Sequence, residues 1–108
     1  MYLIVWRFVV KRGRESEFEE HYGASGSWAS LFARAEGFLG TQLMRDADGS
    51  RRYVTIDQWR SKDDFDRFFE ANRTDYARLD ALCAELTESE ERLADSDTAA
   101  PPLHDRKS

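Results

Sequence analysis

Phe38-Leu39-Gly40-Thr41-Gln42-Leu43-Met44-Arg45 and Arg52-Tyr53-Val54-Thr55-Ile56-Asp57-Gln58-Trp59 flank the segment Asp46-Ala47-Asp48-Gly49-Ser50-Arg51, and this stretch decides the fold. Both arms are rich in β-branched and aromatic residues. An Asp-Gly pair between two such runs is a strong hairpin signal, because glycine accepts the positive φ that a tight turn needs. Period-two alternation puts Tyr53, Thr55, Asp57 and Trp59 on one face of the second arm.

Upstream, Tyr2 to Val10 reads as another strand, ending at the basic turn Lys11-Arg12-Gly13-Arg14. Glu15 to Tyr22 then places Phe18, His21 and Tyr22 at helical spacing behind a flank of acids that suits a helix start. Gly23 to Gly26 breaks this helix. Ser27 is positioned to cap a second short one, with Trp28, Leu31, Phe32 and Ala35 on its apolar face, and Gly37 ends the pattern.

Downstream of the hairpin, Ser61 and Asp64 resemble a capping box that opens a long helical stretch. Its apolar face is Phe65, Phe68, Phe69, Tyr76, Leu79, Leu82, Cys83 and Leu86, interrupted over Asn72 to Asp75, where a kink or a second helix with Thr74 as cap is expected. Thr87-Glu88-Ser89-Glu90 reads as a further capping box or as the approach to a short edge strand over Glu91 to Asp95. A folded domain over residues 1–95 and a disordered tail over 96–108 follow, the tail's small polar composition beginning near Ala94.

The order strand, helix, strand, strand, helix, strand is that of an α+β, ferredoxin-like βαββαβ domain, with helices on one face of an antiparallel sheet. The first strand adds a requirement. Tyr2, Ile4, Trp6, Phe8 and Val10 lie on one side, while Leu3, Val5 and Val9 share the other with Arg7, so one apolar row would face water in a lone subunit. A second copy of the sheet is the simplest cover, which predicts a homodimer.

At 108 residues there is room for one domain and one modest core. A formal charge of −5, with both signs interspersed, argues against a nucleic-acid partner, since phosphate backbones demand a clustered basic surface. The nine-residue apolar opening contains Arg7 and reads as neither a signal peptide nor a membrane span. A single cysteine, Cys83, fits a cytoplasmic protein and, on an apolar helix face, a small buried hydrophobe. His21, His104 and Cys83 are too few and too scattered for a metal site, and no Gly-rich nucleotide motif occurs, so no cofactor is expected. RNA-recognition modules share the element order, but Arg52 to Asp57 lacks the basic, Gly- and aromatic-rich signature of their third strand.

Over residues 2 to 95 the sequence resembles the antibiotic biosynthesis monooxygenase family. The resemblance rests on the opening strand, Lys11-Arg12-Gly13-Arg14-Glu15, Glu36-Gly37-Phe38-Leu39-Gly40, and above all Tyr53-Val54-Thr55-Ile56-Asp57-Gln58-Trp59-Arg60-Ser61, a third strand ending in Trp before a helix. It implies ferredoxin-like subunits whose sheets pair face to face into a dimeric α/β barrel, and oxidation without a cofactor. In such oxygenases an Asn four residues before the Trp and a Tyr six after it are associated with quinone formation. Thr55 and Phe65 stand there in this chain. Haem-degrading relatives carry an axial His on the helix after the third strand, and no His lies between Asp57 and Leu103.

The resulting candidate is a monooxygenase-like protein acting on a small aromatic or quinol-like molecule. His21 and Asp57 are the candidate catalytic acid-base groups, and Tyr22, Trp28, Tyr53, Thr55, Trp59 and Phe65 the candidate substrate contacts, with Trp59 as a wall. Each has a plainer reading. His21 can make a structural hydrogen bond at a helix end, and Asp57 can be paired with Arg7 or Arg45. The rival function is a non-catalytic dimeric ligand-binding or structural protein. A closed, packed interior favours the rival, whereas a cavity of roughly a few hundred Å³ with converging polar groups favours an enzyme.

Overall fold

In the computed structural model, residues 1–97 are described. They form β1 (Tyr2–Val10), α1 (Glu15–Tyr22), α2 (Ser27–Phe32), β2 (Phe38–Arg45), β3 (Arg52–Trp59), α3 (Lys62–Ala71), α4 (Arg73–Ala84) and β4 (Thr87–Asp97). The sheet runs β2-β3-β1-β4 with antiparallel neighbours throughout, the ferredoxin-like arrangement that the element order predicts. The hairpin closes through Gly49, whose φ of +73° is the left-handed conformation its turn requires.

One face of the sheet carries the core. Tyr2, Ile4, Phe8 and Val10 of β1 and Tyr53, Thr55 and Trp59 of β3 are buried beneath Phe18, Tyr22, Trp28, Leu31, Phe32, Phe68 and Cys83. Trp59 sits deepest, fully buried, with its ring centroid 5.2 to 5.4 Å from those of Phe32, Phe38, Phe65 and Phe68. Burial pushes the Cys83 thiol up, as suits a cysteine used as a small hydrophobe. The other face, with Leu3, Val5 and Val9 beside Val54 and Ile56, stays only partly covered, and Met44 is exposed there.

Ser61 caps α3 as expected, accepting a hydrogen bond from the Asp64 backbone N–H at 3.1 Å. The Asp64 carboxylate is held by both guanidinium arms of Arg60, at 2.8 and 3.1 Å, and by Arg67 and the Ser61 hydroxyl. These partners, Arg60 foremost, hold its carboxyl well below the usual range. Gly37 packs on this carboxylate: a Cβ at Gly37 would lie 2.5 Å from Asp64 Cγ, so this close approach needs glycine.

Several local expectations are corrected. Gly26, not Ser27, occupies the cap position of α2, because a Cβ there would fall 2.4 Å from the Glu20 carbonyl oxygen. The break between α3 and α4 is made by Asn72, whose side-chain amide donates to the Phe68 carbonyl at 2.9 Å. Thr74 falls inside the first turn of α4 instead of capping it. Leu82 is 55% exposed, since Cys83 takes the inward position at that level of α4. The edge strand is much longer than Glu91 to Asp95: it starts at Thr87, runs to Asp97 and pairs with the whole of β1 through two register shifts. Its charged sequence shows no hydrophobic alternation because almost every side chain is exposed, and backbone pairing to β1 sets its length. Ala94 to Asp97 therefore belong to the sheet, and the remainder of the expected tail lies outside the described residues.

Candidate active site

A cavity of about 110 Å³ lies between the sheet and the helices. Its walls are aromatic: Trp6 and Phe8 from β1, Tyr22 from α1, Trp28 and Phe32 from α2 and Tyr76 from α4. Polar side chains reach it from three strands and from α4, namely Thr41, Thr55, Asp57, Glu90 and Asp80. The volume is smaller than the few hundred Å³ expected, and compares with the ~150 Å³ apolar cavity that admits one benzene ring.

The register of the sheet explains the floor. Thr41 stands opposite Asp57 across β2 and β3, and Thr55 stands opposite Trp6 across β3 and β1. The Thr41 hydroxyl lies 2.6 Å from Asp57 Oδ1 and 3.2 Å from the Ile56 carbonyl oxygen, with its single proton directed to either acceptor. Burial pushes the Asp57 carboxyl up to about 6, against the opposing pull of the Thr41 hydrogen bond and the Arg92 charge. Burial likewise pushes the Tyr76 hydroxyl up to about 12 and raises the Glu90 carboxyl, with the Asp80 charge adding to both. A carboxyl that titrates near 6 inside an aromatic cavity is suited to general-base work close to neutral pH.

Tyr22, Trp28, Thr55 and Asp57 are brought together here, but His21, Tyr53, Trp59 and Phe65 do not line the cavity. His21 Nδ1 lies 2.8 Å from Ser27 Oγ, which ties the end of α1 to the start of α2. Tyr53 donates its hydroxyl to Glu19 at 2.5 Å beneath the Arg45 guanidinium. Trp59 and Phe65 pack edge to face in the core, and the Trp59 indole nitrogen has no hydrogen-bond partner. Pairing of Asp57 with Arg7 or Arg45 is also corrected. Arg7 points to the opposite face of the sheet, Arg45 reaches Glu19 and the Ser50 carbonyl, and the bonded partner of Asp57 is Thr41.

Residues 1–75 match the family of antibiotic biosynthesis monooxygenases. The chain belongs to this family. SnoaB from Streptomyces nogalater, a cofactor-independent oxygenase, is 32% identical with a TM-score of 0.72, over 94% of this chain and 95% of that one. A variant of SnoaB gives a TM-score of 0.74 at 29% identity over 94% and 96% of the two chains. A Bordetella bronchiseptica protein proposed to be an antibiotic biosynthesis monooxygenase shares the fold at 22% identity, with a TM-score of 0.70 over 92% and 97%. No curated protein matches the chain.

Within this monooxygenase family member the Trp at the end of the third strand is a core residue, and Phe65, packed on Trp59 and Tyr2, offers no hydrogen bond. Polar chemistry is concentrated instead on Thr41, Thr55 and Asp57. Reading alternation along one strand finds Thr55 and Asp57 but misses Thr41, Trp6 and Glu90, because cross-strand register is needed to bring them alongside. Tyr76 and Asp80, one turn apart on α4, carry the helical signal that could have paired them with this face. Among the described residues no three His, Cys, Asp or Glu side chains gather as a metal site, and no helix is long and apolar enough to cross a membrane.

Proposed function

We propose that this protein is a cofactor-independent monooxygenase for a small phenolic or quinol-like molecule, with Asp57 as the base. The observation that carries the reading is a carboxyl titrating near 6 on the floor of a cavity with aromatic walls sized for one ring. Its support in the family is the similarity to SnoaB. In this reading Asp57 takes the phenolic proton, Thr41 orients the carboxylate, and the hydroxyl of Thr55, which lines the cavity, donates to the substrate oxygen. The electron-rich phenolate then supplies the electrons that reduce dioxygen. For a phenol with a free para position the reaction balances as phenol plus dioxygen to para-quinone plus water: one oxygen atom enters the ring, and the hydroxyl and para hydrogens leave with the other.

The working form in this proposal is a cytoplasmic homodimer. Its support is the half-covered sheet face of Leu3, Val5, Val9, Val54 and Ile56, which a second copy would bury, and the unpaired Cys83.

Guaiacol under isotopically labelled dioxygen tests the reaction. Methoxybenzoquinone carrying one labelled oxygen is expected, at a rate that falls at least about tenfold in Asp57→Asn, within the range general-base catalysis contributes. Equal rates in the two proteins would overturn the role of Asp57, and guaiacol binding without any quinone would favour a non-catalytic binding protein.

A further inference from the structure

The cavity is acidic as well as aromatic. Three carboxylates, Asp57, Asp80 and Glu90, line it, and neither lysine nor arginine does. Asp57 is engaged by Thr41, whereas Asp80 and Glu90, from α4 and β4, stand at the mouth, largely exposed, without an ion-pair partner among the described residues. The nearest cation, Arg92, is already occupied: it lies 5.2 Å over the Trp6 ring and pairs with Asp95 at 3.2 Å.

A second observation points to a ligand. Thr55, only 3% exposed, lines the cavity, and so does Trp28, whose buried indole N–H has no hydrogen-bond partner among the described residues. A polar group so deeply placed is normally satisfied, and here a bound molecule is what would satisfy it. Trp6, Trp28 and Tyr76 supply ring faces, whose negative quadrupole attracts organic cations, close to the two free carboxylates. The same field repels an anionic ligand, since a carboxylate brought there meets three others.

We propose that the cavity selects phenols carrying a protonated amine, with the ring among the aromatic walls, the hydroxyl toward Thr55 and Asp57, and the ammonium between Asp80 and Glu90. This rests on the functional reading above and names its substrate class. The arm between ring and amine is short, because the cavity of about 110 Å³ takes no more than one ring and the ammonium has to reach the exposed carboxylates of Asp80 and Glu90.

Tyramine, para-ethylphenol and para-hydroxyphenylpropionate share one phenolic ring and differ in the charge of the arm. Their blocked para position makes them binding probes instead of oxygenation substrates. In calorimetric titrations of the full chain, tyramine is expected to bind about tenfold more tightly than para-ethylphenol, with the propionate weakest. The ratio of tyramine to para-ethylphenol affinity should fall toward one at about 0.5 M salt, where exposed charges are screened, and in the double variant Asp80→Asn, Glu90→Gln. If tyramine and para-ethylphenol bind equally, the amine selectivity is wrong while the phenol cavity stands. If the propionate binds best, or the ratio survives the double variant, the assignment to Asp80 and Glu90 is wrong. If none of the three binds, both the selectivity and the cavity reading fall.

Discussion

Asp57 is held where its charged form is disfavoured, and this has a consequence for stability that runs opposite to that of most carboxylates. Its folded-state carboxyl titrates near 6, above its ordinary value of 3.8, so the folded protein binds the proton more tightly than the unfolded chain does. The associated cost is absent below about pH 4 and fully present once the pH has risen through 6. Asp57→Asn keeps a hydrogen-bond acceptor for Thr41 and removes the buried charge. The variant is expected to be more stable than the native protein by on the order of 2 kcal/mol at pH 8 and equal to it near pH 4, as read by denaturant titration at both values. A loss of stability at pH 8 would mean that Asp57 is paired with a cation. Asp64 has the ordinary sign: its carboxyl is held below the usual range by Arg60, so it stabilises the fold above about pH 4, and this is lost as the pH falls further.

The hairpin of β2 and β3 and the helix α1 were legible to the residue, because Asp48-Gly49 and the spacing of Phe18 and Tyr22 are local signals. The capping pair Ser61 and Asp64 was legible for the same reason, though the clamp of Arg60 and Arg67 around Asp64 was not. β4 was legible only as a possibility, since an exposed edge strand carries no pattern of burial and its existence depends on β1 alongside. The cavity was half legible. Thr55 and Asp57 share a strand face that alternation reveals, but a row of aromatic residues does not say which ring is core and which is wall. Trp59 proved to be core and Trp28 and Trp6 wall. Where β2 begins, Gly37 lies against the start of α3, and Gly37→Ala tests how tightly they fit. A methyl 2.5 Å from Asp64 Cγ must displace the carboxylate from its arginine clamp, so a loss of about 1–3 kcal/mol in thermal or denaturant unfolding is expected. A change below about 0.5 kcal/mol would show that the junction gives way freely.

At the scale of the whole molecule, the two faces of the sheet differ: one builds the core and the cavity, while the other leaves Leu3, Val5, Val9, Val54 and Ile56 only partly covered, the face that the proposed homodimer would bury. Sedimentation should therefore give twice the chain mass of 12.6 kDa, and Ile56→Asp, on the face away from the cavity, should return a folded monomer. A native protein that sediments as a monomer would remove the paired-sheet arrangement. The claim on which function turns is that an aromatic ligand enters the cavity walled by Trp6 and Trp28 and not the core around Trp59. Fluorotryptophan incorporated at the three Trp positions gives one fluorine resonance for each, assigned through Trp→Phe variants. On titration with para-ethylphenol, the Trp6 and Trp28 resonances are expected to shift with a common affinity while that of Trp59 stays in place. A shift confined to Trp59, or none at saturating ligand, would contradict the assignment of this cavity as the active site.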